Sequence, residues 1–150
     1  MNKKEKINAK VSYFYFVAND LKAMRHFYTT LIGLPESAYF EDEQIGYLCY
    51  QMEGFEMMWF RSVKKVPIQT DWAMQPGYPG GLTQEPSWSI ELDEKDFYQI
   101  VEKIKKTNIP VFQKDPEYRQ NSYWGFSVRD PMGYTVELYF ISSKENTEKQ

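Results

Sequence analysis

Glu137 is the residue whose type and setting first suggest chemistry. It is a carboxylate between Val136 and Leu138 in an otherwise apolar stretch, Tyr134 to Ile141. Such a group is either an edge charge facing water or a functional group facing a cavity. The chain offers few other reactive side chains. His26 is the only histidine and lies off the apolar stripe of its helix, which makes it a solvated position. Cys49 is the only cysteine. It excludes an intrachain disulfide, fits a reducing compartment and reads as a buried, inert thiol.

The elements around Glu137 follow from local pattern. Tyr123 to Arg129 and Tyr134 to Ile141 are rich in aromatic and β-branched residues and predict two strands. Asp130-Pro131-Met132-Gly133 between them has the composition of a tight turn. Side chains alternate along the second strand, so Val136, Leu138 and Phe140 share one face and Thr135, Glu137 and Tyr139 the other.

Lys10 to Ala18 predicts a strand so apolar that it should be covered on both faces. Asn19-Asp20 can cap a helix. Leu21, Met24, Phe27, Tyr28 and Leu31 give it one apolar stripe, and Gly33 and Pro35 end it. Short strands follow at Ser37 to Glu41, Ile45 to Gln51 and Phe55 to Ser62. The pattern then restarts. Ser87 to Leu92 is a strand, and Asp93 opens a second helix striped by Phe97, Ile100, Val101 and Ile104. Val111 to Lys114 is a short strand before the final hairpin.

Between the halves lies a linker, residues 63–85, rich in proline and glycine. Loops of that length are usually functional or flexible. Trp72, Met74 and Tyr78 are odd for a plain tether and could fold over a pocket or pack on a partner subunit. The order is therefore βαβββ, linker, βαβββ, an internal repeat of about 75 residues. Module one spans 10–62 and module two 86–142, within a single domain of α+β class, with mixed curved sheets and helices outside. Residues 1–9 form a polar lead-in and 143–150 a polar tail.

Composition sets outer limits. The chain has 150 residues, 42% hydrophobic and 17% aromatic, with 12 tyrosines whose hydroxyls need partners or water. A net charge of −3 gives no reason to expect nucleic acid as a partner. No apolar run approaches the roughly 18 residues of a membrane span. The charged start lacks the apolar segment of a signal peptide. A cytoplasmic protein is expected.

NDLKAMRHFYTTLIGLP near the start and RDPMGYTVELY near the end, in this order and at this repeat length, resemble the vicinal oxygen chelate superfamily. That superfamily includes glyoxalases, extradiol dioxygenases, fosfomycin-resistance enzymes and bleomycin-resistance proteins. The resemblance covers roughly residues 10–142. It implies one divalent ion held by four positions, on the first and last strand of each module. Here these fall on Tyr13, Met58, Ser87 (or Ser89 with the register slipped by two) and Glu137. Only Glu137 matches a hard or borderline ligand. No metal and no other cofactor is therefore expected, and the iron dioxygenase and fosfomycin-enzyme chemistries lose their basis.

What remains is a cup without its ion, lined by Tyr13, Tyr15, Met58, Phe60, Ser87, Ser89, Glu137 and Tyr139. The expectation is a metal-free small-molecule-binding protein that sequesters an aromatic or cationic compound. One alternative is a glyoxalase-like lyase or isomerase with Glu137 as catalytic base. The other is a non-catalytic regulatory or dimerisation module. A homodimer is expected, possible exchange of modules between chains included. No lysine or arginine falls on the inward faces so assigned; Arg61 and Arg129, near strand ends, are the exceptions. Glu137→Gln is accordingly expected to leave folding intact and to weaken a cationic ligand.

Overall fold

The computed structural model describes residues 7–142; the polar tail at 143–150 and the first six residues lie outside that range. Eight strands form two four-stranded mixed sheets with two helical elements. Module one contains β1 (Tyr13–Ala18), α1 (Leu21–Arg25), β2 (Glu36–Glu41), β3 (Gly46–Gln51) and β4 (Glu56–Arg61). Module two contains β5 (Trp88–Glu91), α2 (Glu94–Lys105), β6 (Glu117–Arg119), β7 (Tyr123–Arg129) and β8 (Thr135–Phe140). The strand orders, β1-β4-β3-β2 and β5-β8-β7-β6, are the same permutation. In each module the first strand runs parallel to the last, and the remaining pairs are antiparallel. The repeat in the sequence is thus a repeat in topology.

The first helix forms where capping and periodicity agree, whereas Asp93, expected to open the second, makes no side-chain capping hydrogen bond and α2 rests on its apolar stripe. The Asp20 side chain accepts from the Ala23 amide at 3.0 Å. Beyond Arg25 the helix continues in π-helical turns, His26–Ile32, and Gly33 closes it at φ 87°. Thr29 anchors this wider segment through hydrogen bonds to Glu36 and to the Tyr50 hydroxyl, at 2.9 and 2.6 Å. In α2, Phe97, Ile100, Val101 and Ile104 are buried, and Phe97 packs on Phe140 of β8 with ring centroids 4.9 Å apart.

Two sequence expectations need correction. The short strand is Glu117–Arg119, not Val111 to Lys114, where Val111 makes only an isolated bridge to Val128. β7 selects as its neighbour the segment joined to it by a tight turn, and Gln120 and Asn121 supply the positive φ, 52° and 49°, that such turns require. Nor is β1 covered on both faces. Tyr13, Phe14 and Tyr15 are 44%, 46% and 62% exposed, because only the second half of the strand reaches the core.

That core joins the modules on the helix side of both sheets. Phe16 of β1 packs against Trp59, Trp88 and Tyr134, with centroids 5.5, 4.9 and 5.9 Å away. Tyr28, fully buried, stacks near Trp59 at 4.6 Å and donates its hydroxyl to Asp130 at 2.6 Å. Asp130 in turn accepts from the amides of Met132 and Tyr134 at 2.8 and 3.0 Å. The turn at 130–133 is therefore both a local device and the tie between module two and the helix of module one.

Burial pushes the Asp130 carboxyl up to about 6, against the hydrogen bonds from Tyr28 and the turn amides. Its proton is held more tightly folded than unfolded, so this stabilising contribution is full below about pH 4 and fades as pH rises through 6. Asp130→Asn should remove that dependence. Urea denaturation between pH 4 and 7 should show wild-type protein losing on the order of 3 kcal/mol relative to the variant. Parallel pH profiles for the two proteins would show that Asp130 does not titrate in this range.

Candidate functional site

The face of the second sheet that carries Glu137 holds the residues that could do chemistry. In β5 and β8, Ser89 stands opposite Glu137, which settles the open choice of register in favour of Ser89 over Ser87. The equivalent pair in module one is Tyr15 and Met58, so Tyr15 rather than Tyr13 is the counterpart of Ser89. Ser127 of β7 flanks Glu137 on its other side.

Glu137 is 5% exposed and engaged at both oxygens. Ser89 donates to Oε1 at 2.9 Å. Arg119 Nη1 donates to Oε2 at 2.7 Å, and the Tyr123 hydroxyl donates to the same oxygen at 3.1 Å. Arg119 is 3% exposed and also donates to Ser127 Oγ at 2.9 Å. Glu117 approaches it more loosely, at 3.5 Å. The Tyr123 phenol is pushed up to about 12 by its own burial and by the neighbouring Glu137 carboxylate, so it stays a neutral donor.

This overturns the expectation that no cation reaches Glu137. The cation is neither Arg61 nor Arg129, but Arg119, which the sequence reading left in an unassigned stretch. Arg61 pairs with Glu41, and Arg129 bonds the Thr70 carbonyl and lies over the Trp72 ring. A signal was present in Gly125. A glycine inside an aromatic strand often marks the close approach of another group. A Cβ there would meet Arg119 Cδ, Nη1 and Nε at 2.8, 3.0 and 3.1 Å.

The linker folds over this face. The Ala73 amide donates to Thr135 Oγ1 at 2.8 Å, and Gln120 donates to the Pro76 carbonyl at 2.8 Å. Tyr78, 6% exposed, packs on Phe112 at 4.3 Å and covers the Arg119 guanidinium at 5.2 Å. Gly77 lies so close to Tyr123 and Glu137 that a Cβ would collide with both. Beside the linker remains a cleft of 490 Å³. Its walls are Met74, Gln75 and Pro76 from the linker with Ser87, Ser89, Tyr123, Glu137 and Tyr139 from the sheet, and Trp88 completes the lining.

The eight residues expected around one cup divide into two sets. Ser87, Ser89, Glu137 and Tyr139 converge on this cleft. Tyr13, Tyr15, Met58 and Phe60 share the corresponding face of the first sheet and do not line it. Tyr13 and Tyr15 stack on each other at 5.7 Å, and Tyr13 borders a separate groove with Lys10, Gln51 and Glu56. The modules meet through Phe16, Trp59 and Trp88, which leaves the faces carrying Tyr15 and Glu137 apart.

A family model described as the Glyoxalase/Bleomycin resistance protein/Dioxygenase superfamily matches residues 10–138. The chain belongs to this superfamily. Solved members share its fold. A glyoxalase/dioxygenase from Nostoc punctiforme aligns with TM-score 0.63 and 19% identity, over 92% of this chain and 100% of that one. FosX, a fosfomycin resistance protein from Mesorhizobium loti, aligns with TM-score 0.61 and 11% identity, over 95% and 100%. A lactoylglutathione lyase from Agrobacterium tumefaciens gives 0.57 and 19%, over 90% and 96%. No curated protein matches the chain.

The divalent ion of this superfamily does not fit these residues. Among the described residues no group of three or more His, Cys, Asp and Glu could hold a metal. The matching carboxylate, Glu137, already has both oxygens engaged. The stability expectation for this residue reverses with the discovery of Arg119. Glu137→Gln leaves a buried guanidinium without its counter-ion, and Glu117, half in solvent, cannot replace it. The variant should lose about 3 kcal/mol in chemical denaturation, the scale for breaking one side of a buried pair. Unchanged stability would mean the ion pair has no net structural role.

Proposed function

We propose that the protein binds a flat aromatic small molecule in the cleft beside Glu137, without a metal and without turning it over. The observation that carries this reading is the lining. Tyr123 and Tyr139 meet edge to face at 5.3 Å on one side, with Met74 and Pro76 of the linker also in the wall. Aromatic and thioether groups of this kind provide stackable, polarizable surface, and a few polar groups fix orientation. Ser87 and Gln75 are such groups, and Gln75 Oε1 is buried without a hydrogen-bond partner. Superfamily membership supports small-molecule binding in general.

The charge balance refines the ligand class. Glu137 is neutralised by Arg119, so a cationic ligand gains no unpaired carboxylate there. The aromatic half of the expected ligand class is retained and the cationic half set aside. The same pairing weighs against a lyase or isomerase that uses Glu137 as base, because three donors already occupy its oxygens. A thermal-shift screen of aromatic compounds in EDTA, followed by calorimetry, tests the proposal. Tyr139→Ala should weaken a compound so found by about 1–2 kcal/mol, through lost stacking area. Binding that appears only with added metal, or an affinity indifferent to Tyr139, would remove the basis for this reading.

We also infer a homodimer in a cytoplasmic setting, each chain a single domain. Cys49 is a buried free thiol, as suits a reducing compartment, and no helix among the described residues is long and apolar enough to cross a membrane. For the dimer the support is the first sheet. Tyr13, Tyr15, Phe40 and Phe60 lie on one face and are each 40% exposed or more. Contiguous apolar surface of this kind marks an interaction site. Light scattering at micromolar concentration should give twice the 17.9 kDa chain mass. Tyr15→Glu should shift the protein towards the single-chain mass; a wild-type mass of one chain would contradict the inference.

A further inference from the structure

We propose that Arg119 is the resident cation of the Glu137 site, a guanidinium fixed by the chain itself where the family resemblance places a divalent ion. The inference holds whether or not the cleft takes an aromatic ligand, because it concerns the floor beneath it.

Four observations converge. Of the positions expected to ligate, Tyr13 and Met58 lie on the other sheet and Ser89 is a neutral hydroxyl bonded to Glu137. Glu137 is therefore the one carboxylate among them, and its nearest cation is at 2.7 Å. Arg119 is 3% exposed, so its charge must be compensated where it stands. Glu137 supplies the counter-charge, Ser127 a neutral acceptor and Tyr78 a ring face.

The backbone is also shaped around this side chain. Gly125 forms the floor beneath the guanidinium, where a Cβ would strike it, and Tyr78 of the linker forms the roof. Arg119 Nε is buried with no acceptor, an unpaired donor that the arrangement carries in addition. A second cation at Glu137 would face the guanidinium across a low-dielectric floor and would have to displace Arg119 from beneath the linker.

A thermodynamic cycle and a metal measurement test this together. Arg119→Met and Glu137→Gln should each raise the unfolding equilibrium constant by at least about a hundredfold, and the double variant by far less than their product. If Arg119→Met does not fold, a folded double variant shows the same coupling. Wild-type protein incubated with Mn²⁺, Ni²⁺ or Zn²⁺ and desalted should retain no stoichiometric metal by elemental analysis. Two results would overturn the proposal: single-variant effects that simply multiply, or one equivalent of metal held by wild type and lost in Glu137→Gln. If none of the variants folds, the wild-type metal measurement alone decides.

Discussion

The ion pair between Arg119 and Glu137 sets the conditions that the rest of module two must meet. Two charges taken out of water need close geometry and partners for most of their remaining donors and acceptors, and here only Arg119 Nε goes without one. The sheet provides Ser89 and Ser127 on the strands either side of Glu137. β7 contributes Tyr123 from the same face and gives up a side chain at Gly125. The linker closes the top with Tyr78 and fits a glycine, Gly77, against the carboxylate. Positions that look unrelated in the sequence thus answer one electrostatic demand.

A second constraint acts between the modules. Tyr28 reaches from the helix of module one to Asp130 in the turn of module two, across 102 residues of chain. Phe16, Trp59, Trp88 and Tyr134 pack around that contact. Phe27 and Tyr50 join the same aromatic cluster through Tyr28. That location has a structural result: the modules are joined through these side chains, and the faces carrying Tyr15 and Glu137 remain separate.

Much of the fold was legible because it rests on local signals. Asp20, Gly33 and the apolar stripes fixed the helices, and the turn at 130–133 fixed the last hairpin. The repeat gave the module order. Alternation in β8 put Glu137 on the face of Thr135 and Tyr139 but left open whether that face met water or a cavity; its burial settles the choice. Arg119 was missed because β6 is three residues long and carries no apolar periodicity, so nothing local announces a strand. Within the chain the eight expected cup residues fall on two faces, for a different reason. Alternation shows which residues share a face of a sheet, but not which faces of two sheets meet. That depends on where the largest side chains pack, and Trp59 and Trp88 pack towards the helices.

The two corresponding faces, alike in topology, differ in residue type and in contact with the linker. In module two the chain's own linker lies over the face, and polar groups beneath it are paired: Thr135 with Ala73, Arg119 with Glu137. In module one the equivalent positions hold tyrosine, methionine and phenylalanine, and Tyr13, Tyr15 and Phe60 remain 40% exposed or more. Polar groups in a covered face need fixed partners, which a segment of the same chain can supply at high effective concentration. Apolar groups in an open face need only area, which a surface from outside can provide. The asymmetry of residue type therefore matches the asymmetry of cover. One half of the repeat is completed by the chain's own linker, and the other presents apolar side chains at its surface.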